Sequence, residues 1–92
     1  MISAKFLQVQ TSADGASFVT LPSQPAISVD IYNGTGTDLT FLHTTDADNT
    51  EFVLPSGLAF SFRGITNANQ LKVKRTDESA TQVTLKSVEA IR

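Results

Sequence analysis

The sequence predicts an all-β domain, a small antiparallel β-sandwich or barrel of about eight short strands, and three observations predict it. Apolar residues recur with a period of two, the spacing that puts one face of a strand in a core and the other in water. Clusters of Gly, Pro, Asn, Asp and Ser interrupt that alternation every 8–12 residues or so, the punctuation of an antiparallel sandwich. No stretch holds a helical period over about ten residues.

The elements follow in order. Phe6 to Thr11 opens as a strand and "SADG", Ser12 to Gly15, turns it. Ala16 to Leu21 is the second strand, stopped by "PSQP", whose prolines at 22 and 25 suit strand ends and loops. Ile27, Val29 and Ile31 then point one way and Ser28, Asp30 and Tyr32 the other. "NGTGTD", Asn33 to Asp38, separates this strand from Leu39–Leu42. "HTTDADNTE", His43 to Glu51, is the most polar segment and reads as an exposed loop or hairpin tip. Phe52 to Leu54 is a short strand closed by "PSG", a type II turn signature. Phe60 and Phe62 share a face in "LAFSFRG", and "ITNANQ", Ile65 to Gln70, is a second Asn-rich turn. Leu71, Val73 and Arg75 alternate with Lys72 and Lys74, and Thr81 to Ser87 alternates as the last strand.

Composition limits the function. The 92 residues make one domain, 1–92, with a single modest core. Without cysteine there is neither a disulfide framework nor a thiolate metal site, and zinc would depend on His43 and carboxylates. No apolar run of about 18 residues exists to span a bilayer, and the N-terminus lacks a charged-then-apolar leader pattern, so a soluble protein made in the cytoplasm is expected. The formal charge of −2 is unevenly spread: six acids and no base lie between Phe6 and Phe62, and six bases against three acids follow from Arg63 onward. Either strands of both halves interleave in space and the split is incidental, or opposite-sign faces bring copies or partner subunits into register.

Each polar cluster has an ordinary reading beside a functional one. "NGTGTD" lacks the Gly-Lys-Ser/Thr of a phosphate loop and leads into a strand rather than a helix, so it is expected to turn the chain, with Asn and Gly supplying positive φ for a hairpin. "DADNTE" offers oxygen ligands without calcium-loop spacing, and a solvated acidic loop is expected. His43 has no nucleophile elbow or paired acid in sequence; an enzyme would require it to be buried beside a carboxylate and a hydroxyl. Arg63, Lys72, Lys74 and Arg75 are the basic concentration, without interleaved aromatic platforms, and the phenylalanines fall at core-like positions, so nucleic-acid binding is not expected. Lys72 and Lys74 read as edge or surface protection against strand-to-strand aggregation.

Taken together, "FVTLPSQPAISVDIYNGTGTDLTF" and "FVLPSGLAFSFRGITNANQLKVKRTDESATQVTL" resemble the small structural proteins of tailed bacteriophage virions, over roughly Phe18 to Leu85. The resemblance lies in turn and core patterns: a strand into "NGTGTDL", "LPSG" before an aromatic strand, "GITNANQLKVKR", and a Thr/Val-rich last strand. It implies a β-sandwich that decorates or cements a capsid, or sits in a tail or fibre, and it carries over no catalytic residue, metal or cofactor. The expected function is therefore a non-enzymatic virion decoration protein that bridges neighbouring capsid subunits, with the major capsid protein or other virion subunits as partners, homo-oligomerisation, and no membrane or nucleic-acid role. The expected contacts are Asn33, Thr35 and Asp38, then Arg63, Asn67 and Asn69, then Lys72, Lys74 and Arg75. The alternative is a tail- or fibre-associated sandwich recognising host-surface carbohydrate, for which the chain offers no Trp and one Tyr, Tyr32.

Overall fold

The computed structural model describes residues 3–91. Eight strands form two four-stranded antiparallel sheets: β1 (Ser3–Gln10), β2 (Val19–Thr20), β3 (Ser28–Tyr32), β4 (Leu39–His43), β5 (Glu51–Leu54), β6 (Ala59–Arg63), β7 (Leu71–Arg75) and β8 (Thr84–Ile91). A 3₁₀ turn, Ala68–Gln70, precedes β7. One sheet runs β1-β8-β3-β6 and the other β2-β7-β4-β5. The pairs β4·β5, β3·β6, β2·β7 and β1·β8 nest inside one another, as if a long hairpin had been rolled over to make two faces. That order is a jelly roll, and the sandwich expected from the periodicity is the fold observed.

The alternation in sequence explains the layers. Val29 and Ile31 of β3, Leu39 and Phe41 of β4, Leu71 and Val73 of β7 and Leu85 of β8 all face inward and are almost fully buried. Phe41 and Phe62, from opposite sheets, meet with ring centroids 5.0 Å apart and rings tilted by 46°, an attractive offset geometry. Each such side chain contributes roughly 1.5–3 kcal/mol by leaving water. Phe41→Ala, at the centre of the core, would cost about 3–5 kcal/mol.

Several expectations change. The Asn33–Asp38 loop is no hairpin, because β3 and β4 belong to different sheets; it carries the chain across the sandwich. Gly36 takes the positive φ of +84°, whereas Gly34 does not; a Cβ on Gly34 would sit 2.9 Å from the Tyr32 ring. The second strand shrinks to two residues, because Asp14 collects the Ala16 and Ser17 amides and holds the preceding segment as a loop. β7 lies between β2 and β4, so of the two positions expected for Lys72 and Lys74, edge or surface, they take the sheet surface. β8 runs on to Ile91, past the expected end at Ser87, because β1 pairs with it up to that residue.

Candidate interaction surface

The nine contact residues expected from the sequence fall in three places. Asn33 is fully buried: its Nδ2 donates to the carbonyls of Thr37 and Leu54 at 2.9 and 2.8 Å, and its Oδ1 accepts from the Thr35 hydroxyl at 2.7 Å. It therefore builds the corner and cannot itself touch a partner. Asp38, exposed nearby, accepts the Ser56 amide at 3.1 Å. Arg75 reaches the same end, donating to the Thr81 carbonyl at 2.8 Å while pairing with Asp77 at 2.8 Å. Arg63, Asn67 and Asn69 lie at the opposite end. There the Asn67 side chain accepts from the Asn69 and Gln24 amides at 3.0 and 2.9 Å, capping the 3₁₀ turn. Lys72 and Lys74 project from the outer face of the second sheet. Lys74 is bonded to Glu78 at 2.9 Å and lies over the Phe18 ring, 5.2 Å from its centroid.

These partners answer the charge question locally. Lys74 and Arg75 are matched by Glu78 and Asp77 in the turn that follows, and the Arg75 guanidinium holds the Asp77 carboxyl below its usual range. Lys72 lies across Leu42 from Glu51 on one sheet face, so acids and bases of the two halves interleave there.

The titratable side chains serve architecture. His43 Nε2 lies 3.1 Å from the Arg63 carbonyl and Nδ1 lies 2.6 Å from the Thr45 hydroxyl, so both ring nitrogens tie β4 to its surroundings. Asp46 accepts the amides of Asp48 and Thr50 at 3.1 and 3.0 Å, and those hydrogen bonds lower its pKa. Among the described residues no three His, Asp or Glu side chains converge as a metal site would require.

The outer face of the β1-β8-β3-β6 sheet is different. Phe6 is 76% exposed and Tyr32 62%, the two largest exposures among the big apolar side chains described. With Gln8, Asp30, Lys86 and Val88 they line an open groove of about 540 Å³. Asp30 accepts a hydrogen bond from the Ser61 hydroxyl, and Lys86 has no acidic partner among the described residues. The expectation that the phenylalanines are core residues thus fails outright at Phe6 and in part at Phe52 and Phe60, which pack on each other at the sandwich edge but stay exposed. The position of Phe6 in an alternating strand was legible, but which face of an edge strand is covered depends on pairing with β8, 82 residues away (Phe6 against Val88). The signal was available in Leu7 and Val9, which face inward on the same strand and force Phe6 out.

The sequence matches no protein-family profile and no curated protein. Solved structures do share the fold. A cobalt(II) HppE structure with Tris buffer aligns over 96% of this chain and 45% of its own, at 10% identity and a TM-score of 0.60. A cupin-2 domain protein from Shewanella frigidimarina aligns over 97% of this chain and 71% of its own, at 9% identity and TM-score 0.53. A subunit of Bacillus endospore appendages, described as disulfide-linked pili, aligns over 99% of this chain and 86% of its own, at 10% identity and TM-score 0.51. At these identities the likeness establishes the β-sandwich fold that this chain shares with cupin-domain and pilus proteins.

Proposed function

We propose that this chain is a non-enzymatic assembly module, a structural subunit of a protein shell such as the head of a tailed bacteriophage, where it binds over neighbouring subunits. The observation that carries the reading is the contrast between a sandwich interior filled by Phe41, Phe62 and the aliphatic side chains around them, and an outer sheet face that leaves Phe6 and Tyr32 in water. Exposed apolar patches of this kind mark surfaces that meet another macromolecule. The pilus subunit of the same fold adds a precedent for building polymers from such domains. Bridging would work by burying these rings against two neighbours at once, so that separating the neighbours re-exposes apolar surface.

The test is quantitative mass spectrometry of particles purified from the source lysate, with resistance of the particles to heat and urea read in parallel. The chain should co-purify in fixed ratio to the main shell subunit, and particles lacking it should open at lower temperature. Its absence from intact particles would overturn the reading. A second reading, carbohydrate binding, is favoured by the same groove, where two rings stand beside the polar groups of Asp30 and Gln8. A glycan array with Tyr32→Ala as control separates the two, because a sugar site loses all binding with that ring.

A further inference from the structure

The strand register fixes how the exposed face is laid out. Phe6, Val88, Asp30 and Ser61 form one row across β1, β8, β3 and β6. Gln8 stands beside Lys86, and Tyr32 beside Ala59, in the next row. With strands about 4.8 Å apart and a two-residue step of about 6.8 Å, Phe6 and Tyr32 lie on one diagonal, about 12 Å apart. Asp30 and Lys86 lie on the crossing diagonal, about 8 Å apart, on opposite sides of that aromatic line.

We propose that this face is where two copies of the chain meet, about a two-fold axis that lies in the interface and runs along the Phe6–Tyr32 diagonal. Turning one copy over about that line returns Phe6 against Phe6, Tyr32 against Tyr32 and Val88 close to Val88. The same operation carries Asp30 of each copy onto Lys86 of the other. A two-fold contact must be self-complementary, and here one pattern satisfies it twice: rings and Val88 along the axis, and one opposite-sign pair on each side. Charge singles out this occupant. The groove presents one acid, Asp30, and one base, Lys86, with Arg63 outside it at the β6 corner of the same face, so within the groove an anionic ligand meets Asp30 and a cationic one meets Lys86, whereas a second copy pairs both. The inference rests on the assembly reading and names the partner of its exposed face.

The face spans roughly 20 by 20 Å by strand spacing, about 400 Å² per copy and about 800 Å² in all, which is below the standard size of stable interfaces and makes the contact a weak, transient one. The dimer is therefore expected to form in the micromolar range and to be reinforced when many copies sit on one shell.

Sedimentation equilibrium from about 1 to 500 µM tests it, a range that brackets such a contact. The wild-type chain should pass from monomer to dimer within it. Asp30→Lys and Lys86→Asp should each weaken association by about tenfold or more, and the double reversal should restore it to within about threefold. Since the chain has no cysteine, Phe6→Cys should be joined to its counterpart by a short bis-maleimide linker, which spans the roughly 10 Å between facing sheets that a direct disulfide cannot, while Thr20→Cys, on the outer face of the other sheet, should not. All the substituted side chains point to solvent, and matching urea midpoints would establish that the variants fold. A monomer throughout, equal cross-linking of the two cysteine variants, or a double reversal that fails to rescue would each overturn the proposal, as would a glycan occupying the groove of a monomer. If the chain is monomeric yet present on purified particles, the pairing fails while the assembly reading stands.

Discussion

Asn33 and Glu89, both fully buried polar side chains of this sandwich, are treated in opposite ways. Asn33, at the corner between the sheets, has both amide protons given to carbonyls and its oxygen taken by Thr35, through hydroxyl and amide. Glu89, inside β8, accepts one hydrogen bond from the Ser87 hydroxyl at 2.6 Å, and its other oxygen has no partner. Burial raises the Glu89 pKa, so the group is drawn toward its protonated form, with the Ser87 bond opposing that shift. A satisfied buried amide fixes one geometry; a half-satisfied buried carboxyl subtracts from stability without fixing anything further. The lesson is that burial alone does not identify what holds the fold.

Among substitutions of polar groups, the largest effect should come from breaking the satisfied site. Asn33→Ala strands the Leu54 and Thr37 carbonyls and frees the loop, and should lower stability by about 3 kcal/mol in urea unfolding. A loss below about 1 kcal/mol would mean that water replaces the amide and that the corner is held by Gly36 and its neighbours instead. Glu89→Leu should act in the other direction. Replacing an incompletely paired buried carboxyl by an apolar side chain of similar size should raise stability at pH 7 by about 1–2 kcal/mol. Destabilisation would show that the unpartnered oxygen has a partner in solution, with Lys5 the nearest base in register, directly opposite on β1.

A pH series sharpens the same contrast. The folded Glu89 pKa lies above its unfolded value of 4.5, so the unfolded chain gives up this proton first. Its contribution is complete below pH 4.5 and shrinks as pH rises toward the folded pKa, with a slope of up to about 1.4 kcal/mol per pH unit. Glu89→Gln should abolish that decline and leave the pH dependence above 4.5 nearly flat. Parallel curves for the two proteins would remove Glu89 as its source.

The architecture was legible because period-two alternation survives in nearly every strand: Val29 and Ile31, Leu71 and Val73, and Phe62 all face where their spacing puts them. Sequence spacing could not say which strands share a sheet. Asn33-Gly34 reads as a hairpin signal, yet the chain uses it to change sheets, because the nested pairing places β3 beside β6 and β8. The interaction surface was harder still. The polar and basic clusters that stood out, Lys74, Arg75 and Asn67, are spent on local bonds. The exposed face is assembled from single residues of separate strands, and only register brings Phe6, Tyr32, Asp30 and Lys86 together.

The smallest effect belongs to a third kind of polar group, one that is satisfied but in water. Asp14 accepts the Ala16 and Ser17 amides and the Ser12 and Ser17 hydroxyls, and these bonds, the Ser17 amide foremost, lower its pKa to about 2. Because the folded value lies below the unfolded 3.8, its contribution is present above that pH and disappears as pH falls through about 2. Asp14→Asn should therefore reduce stability slightly at neutral pH and converge with the wild-type curve in strong acid, read from urea midpoints at each pH. If the difference persisted in acid, it would come from the altered shape of the side chain rather than from its charge. Asp14 and Glu89 act in windows that do not overlap, one losing stability downward from 3.8 and the other upward from 4.5. Taking these two groups together, the wild-type chain should be most stable near pH 4, and removing the Glu89 carboxyl should extend that maximum toward neutrality.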